Sequence, residues 1–167
     1  MHLRPSERPA VSRRRFAPRL ALAASLALTA AGCLTMETPP EFLVIDDDTS
    51  EVRAVTPDDA RLWAREFDDP LRGSLAFWSE TLKTDLTDNR GYTLIQQREV
   101  KTKSGRPGVE LDCEVTAQGA ARGYLVTLFI VEGWMSNTIQ VVEFTAPKNA
   151  FDSRVEAVRS AIATIRP

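Results

Sequence analysis

Histidine is almost missing from this 167-residue chain. The single one, His2, sits in an arginine-rich leader, so nothing after position 2 can supply an imidazole. That excludes serine–histidine–acid and cysteine–histidine catalysis and histidine-bearing zinc sites, and no metal or cofactor is expected. Cysteine is scarce as well, with only Cys33 and Cys113. Neither GxGxxG nor GxxxxGK[ST] occurs, so there is no nucleotide fingerprint. Long apolar runs are absent too. Residues 20–31, "LALAASLALTAA", form a stretch of twelve. At a helical rise of 1.5 Å such a stretch covers roughly 18 Å, well short of the ~30 Å hydrocarbon core.

What is present divides sharply by charge. Up to Gly32 there are six arginines and one acid, Glu7, out of 21 basic and 23 acidic residues in the whole chain. From Cys33 onward 15 basic residues therefore face 22 acidic ones, a balance of −7. A basic leader precedes an acidic domain, which argues against nucleic acid as a partner. The overall 43% hydrophobic and 26% charged residues fit one globular domain.

A cationic start, a short apolar run and small residues at its end describe an export signal over residues 1–32. The sequence "LTAAGC" at 28–33 resembles the lipobox of bacterial lipoproteins, with Ala30 where that family usually has leucine. The resemblance implies cleavage between Gly32 and Cys33 and a diacylglyceryl group on the Cys33 thiol, with palmitate-type acyl chains anchoring the protein to a membrane. The same small residues would also serve a general signal peptidase, which would leave Cys33 a free thiol. "SRRRF" at 12–16 resembles the core of the twin-arginine export motif, carried by Arg13 and Arg14, although Ala17 and Pro18 replace its leucine and lysine. The alternative is a general export signal rich in arginine. Leu34 stands where an aspartate would retain a lipoprotein at the inner membrane. The expected location is the cell membrane or the outer membrane, facing the periplasm or exterior.

Residues 33–40, ending in two prolines, read as a lipidated tether of up to ~25 Å. Residues 41–167 read as the folded domain. "EFLVID" is a first strand, and "EVRAV" and "ARLWAREF" pair through the turn "TPDD". Leu75, Trp78, Leu82 and Leu86 recur at helical spacing, with Ser74 as N-cap and Gly91 as the stop. Four strands follow, "YTLIQQREVKT", "VELDCEV", "GYLVTLFIVE" and "TIQVVEFTA", joined by short turns into an antiparallel meander. A last helix buries Phe151, Val155, Val158 and Ile162. The fold class is α+β, an antiparallel sheet with helices packed on it. This order, with "LAFWSETLKTDL…RGYTLI" and "FDSRVEAVRSAIATI", resembles the PsbP-like fold, including bacterial envelope lipoproteins of the DcrB type. That resemblance implies an accessory or binding module and not an enzyme.

Several constellations remain. Val109, Leu111, Cys113 and Val115 share one strand face, which makes Cys113 a buried apolar residue. Glu110, Asp112 and Glu114 lie on the other face, expected to meet water; a paired-carboxylate hydrolase would have to draw on such acids. "DDDTSE" at 46–51 lacks calcium-loop spacing and reads as a solvated turn. Asp58–Asp59 and Asp68–Asp69 read as turn residues. The tip "GWMSN" offers Trp134 and Met135 as a partner contact, unless the loop folds back over the core. The basic tip "KTKSGRPG" reads as a solvated turn, with contact to anionic lipid heads or an acidic partner as the alternative. The expectation is thus a membrane-anchored envelope lipoprotein that binds an envelope protein, with a lipid or small-ligand binder as the alternative. The alternative requires a pocket between sheet and helix.

Overall fold

The computed structural model describes residues 34–167. Alternating apolar and polar residues build seven strands: β1 (Leu43–Asp47), β2 (Glu51–Val55), β3 (Arg61–Asp69), β4 (Thr93–Lys101), β5 (Pro107–Ala117), β6 (Ala120–Val131) and β7 (Asn137–Pro147). They form one sheet in the order β1-β2-β3-β7-β6-β5-β4, with every neighbouring pair antiparallel. The meander β4–β7 and the β2–β3 hairpin form as expected, and β1 pairs antiparallel with β2. They join where β3 pairs with β7, Arg61 opposite Thr145 through Asp69 opposite Asn137. Two helices, α1 (Leu75–Thr84) and α2 (Lys148–Ile162), complete an α+β domain. No helix among the described residues is long and apolar enough to cross a membrane.

The helices cover opposite faces. α2 lies over β6 and β7, where Phe151, Val158 and Ile162 join Leu62, Leu125, Phe129 and Phe144 in the larger core. α1 lies over β5 and β6, closing a smaller core of Leu86, Val109, Leu111, Cys113, Tyr124 and Val126. The α1 start follows the expected chemistry: the Ser74 hydroxyl accepts the Phe77 N–H at 3.1 Å. Its end differs from one continuous helix. Asp85–Asn89 widens into a π-helical turn, with the Arg90 N–H on the Asp85 carbonyl, and Gly91 (φ 71°) then turns the chain into β4. The wider turn seats Leu86 fully in the smaller core.

Three expectations change. Residues 34–40 are not an extended tether but are docked on the domain. Leu34 is 1% exposed in the larger core, its N–H reaches the Thr49 carbonyl at 3.0 Å, and Thr35 exchanges backbone hydrogen bonds with Arg166. Asp69 is not a turn residue. It ends β3, buried, and accepts the Gly73 N–H and the Trp78 Nε1–H at 2.6 and 2.9 Å.

The third concerns the acids of β5: Glu110 and Asp112 do not face water, whereas the Glu114 side chain stays exposed. α2 crosses that face and Arg159 reaches down from it, placing Nε 3.0 Å from Glu110 Oε1 and Nη2 2.9 Å from Asp112 Oδ2. Arg98 of β4 closes on the same Glu110 oxygen, and Lys148 holds Glu114 at 2.9 Å. Glu110 is 2% exposed, because a buried carboxylate is tolerated where two guanidiniums replace its water. These acids clamp helix to sheet.

Cys113 is buried, as expected from its strand face. Burial, and then the charge of Asp112, push its thiol up to about 11. A thiol-specific reagent at mildly alkaline pH is expected to leave Cys113 unmodified in the folded protein and to modify it in urea. Stoichiometric labelling without denaturant would contradict that burial.

Candidate functional site

α1 is too narrow to cover the whole of its sheet face. It stops short of β3 and β7, and the uncovered strip becomes a groove of about 1040 Å³ between helix and sheet. Small-molecule sites span roughly 300–1,000 Å³, so the groove has room for a ligand or a short segment of a partner. Trp78 and Leu82 of α1 form one wall; Phe67 of β3 with Ile139 and Val141 of β7 forms the other. Phe67 and Phe77, both exposed, stand at its rim.

The floor carries one polar cluster. Glu143 of β7 accepts a hydrogen bond from the Tyr124 hydroxyl and pairs with Arg65 Nη2 at 2.8 Å. Burial first, then the Glu143 charge, drive the Tyr124 pKa well above its ordinary value, so the hydroxyl stays a donor at physiological pH. Arg65 is also stacked: its guanidinium lies 3.7 Å from the Trp63 ring centroid and 4.9 Å from that of Phe67, and Arg53 covers Trp63 at 4.6 Å. This cation–π ladder packs along β2 and β3 beside the groove. Arg65 Nε is buried and makes no hydrogen bond among the described residues. At the far end the Arg90–Asp85 pair, 2.7 Å apart, closes the groove beneath the π-helical turn. Apolar walls around a part-exposed arginine–glutamate pair suit an amphipathic guest.

Of the residues singled out by sequence, Arg13, Arg14, Gly32 and Cys33 lie outside the described residues. Trp134 and Met135 are 93% and 81% exposed on the β6–β7 loop, which does not fold back over the core. No group of three histidine, cysteine or acidic side chains is placed to hold a metal ion among the described residues. The groove residues escaped the sequence reading. Arg65 and Glu143 show only as polar positions alternating along two strands, and nothing local says that α1 halts beside them.

No protein-family model matches the chain, and no curated protein matches it. Solved structures do resemble it. LpqN of Mycobacterium tuberculosis, involved in cell envelope biogenesis, superposes with a TM-score of 0.58 at 11% identity, over 80% of this chain and 83% of LpqN. A Pseudomonas aeruginosa protein of unknown function, described as a putative regulator, gives 0.54 at 14% identity, over 81% and 98%. The Saccharomyces cerevisiae Ran-binding protein Mog1p gives 0.52 at 12% identity, over 83% and 92%. At these identities the likeness is one of fold.

Proposed function

We propose that this protein is a non-catalytic accessory module of a bacterial cell envelope, with a PsbP-like domain. It is anchored through a lipid on Cys33 and binds a protein partner in the groove between α1 and the sheet. The groove is the observation that carries the reading: an open apolar cleft with the Arg65–Glu143 pair in its floor. The fold shared with an envelope-biogenesis protein and with a Ran-binding protein supports it as analogy. The partner would insert one or two apolar side chains between Phe67 and Leu82, with a polar group beside the Arg65–Glu143 pair. Glu143 is committed to Tyr124 and Arg65, which disfavours an acid–base role.

Crosslinked capture of the full-length protein from its own envelope tests this. Phe67→Glu places a charge on the apolar wall at an exposed site, so the fold and its melting temperature should survive. The partner should be lost on the order of tenfold, equivalent to about 1.4 kcal/mol. Equal recovery by wild type and variant would remove the groove from the function. The groove's volume also favours a second reading, an amphipathic small molecule or lipid as guest. A molecule that copurifies with wild type but not with Phe67→Glu, without any protein partner, would establish that reading instead.

A further inference from the structure

We propose that one end of the sheet is a membrane-contact surface, built from the β3–α1 and β6–β7 loops, against which the bilayer sits. The strand register defines this end. β3 finishes at Asp69 opposite Asn137, β6 at Val131 opposite Thr138, and β4 at Lys101 opposite Pro107. The loops 70–74, 132–136 and 102–106 therefore leave the sheet together. Among the described residues the three most exposed large apolar side chains are Trp134 at 93%, Leu71 at 88% and Met135 at 81%. All three lie on two of those loops. The third loop adds Lys103, next to Lys101 at the strand end.

The geometry holds these side chains outward. Asp69 ties down the β3–α1 loop through Gly73 and Trp78, and Arg72 adopts a left-handed φ of 54° that leaves Leu71 projecting. At the β6–β7 tip, Gly133 approaches the Ser136 carbonyl so closely that a Cβ would lie 2.1 Å from its oxygen. That tight turn presents Trp134 and Met135 at its apex.

The occupant follows from where the chain enters the domain, and this step rests on the proposed lipid at Cys33. Leu34 is buried and bonded to Thr49 in the β1–β2 turn, which opens toward the same end. Ser50 of that turn accepts the Glu66 N–H, so Leu34 lies about three strand residues, or ~10 Å, short of the end of β3. Thr35–Arg166 and the Glu37 N–H on Thr164 Oγ1 fix the next residues. No slack remains from Leu34 onward, and a lipid on Cys33 would sit one peptide unit away, where successive Cα atoms are about 3.8 Å apart. A lipid there brings the bilayer to this end of the domain. Tryptophan favours the headgroup boundary, where apolar side chains sink roughly 5–10 Å. The strands then stand on the membrane, the groove opens sideways, and the β5–β6 turn at Gln118–Gly119 points away.

The test uses the full-length protein, processed in its host and reconstituted into vesicles of phosphatidylethanolamine and phosphatidylglycerol with no other protein. Cysteine is introduced at the tip (Met135→Cys) or at the opposite end (Ala120→Cys), and labelled with a membrane-impermeant maleimide. Each rate is referenced to the same variant unfolded in urea, after subtraction of the Cys113 labelling measured on the unsubstituted protein in urea. Met135→Cys is expected to react on the order of tenfold more slowly than Ala120→Cys, because a side chain sunk into the headgroup boundary is shielded. Intact mass reads the lipid on Cys33 in the same sample. With the lipid present, equal rates in vesicles would overturn the proposal while leaving the anchor standing. Protection found only in native envelopes would also overturn it, making the tip a protein contact. An unmodified Cys33 would overturn the anchor, and this orientation with it.

Discussion

Replacing Phe144 with alanine is expected to lower the unfolding free energy by about 3–5 kcal/mol, the range for emptying an aromatic site in a core. Phe144 is completely buried on β7, where three parts of the domain meet. Its ring stacks on Phe151 of α2 at 5.1 Å and 13°, and meets Phe42, just before β1, edge-on at 6.2 Å. The cavity cannot collapse easily, since the sheet fixes one side and a docked helix and segment fix the others. Urea titration would give the loss directly. A loss below about 2 kcal/mol would mean that α2 or the Phe42 segment relaxes into the space, and that the packing there is looser than described. Because no charge is involved, the deficit should be the same at neutral and mildly acidic pH.

The second large effect is expected to depend on pH. Arg159→Leu removes the cation that α2 sends to Glu110 and Asp112. Breaking a buried ion pair by deleting one partner costs about 3–5 kcal/mol, and the low end is expected because Arg98 still reaches Glu110. Asp112 sets the pH dependence. Burial already raises its pKa above 3.8, with Arg159 as the main opposing influence. Without Arg159, burial and the neighbouring Glu110 charge both push upward, so the folded variant binds that proton more tightly than the unfolded chain does. A raised carboxyl stabilises the fold when protonated, and this contribution disappears as pH rises through the folded pKa. The deficit against wild type is therefore expected to be largest at neutral pH and to shrink as pH falls through the raised Asp112 pKa. Urea midpoints at several pH values decide it. A deficit that does not change with pH would mean that Asp112 is solvated once the arginine is gone.

The elements themselves were legible because their signals are local. Ser74 caps α1 through a bond three residues away, and Gly91 provides the left-handed turn that leads into β4. The period-two alternation through "VELDCEV" placed Cys113 on a buried face, as the structure has it. The absence of histidine beyond His2, the acidic balance and the short apolar run likewise need no coordinates.

What alternation cannot say is which element covers a face. It sorted Glu110, Asp112 and Glu114 onto one side of β5, and nothing within the strand announced that α2 would lie there. The groove, the clamp and the membrane-contact end all depend on pairings far apart in sequence. Arg159 meets Glu110 across 49 residues, Arg65 meets Glu143 across 78, and Glu37 meets Thr164 across 127. The sequence by itself determined the seven strands, the two helices, the arginine-rich leader and the two-sided character of β5. Only the tertiary structure decided that β3 lies beside β7, that the helices take opposite faces, and that Leu34 is locked into the core. The physical reason is range. Capping and pleating act over two to four residues, whereas burial is settled by whichever distant apolar surface closes over a face.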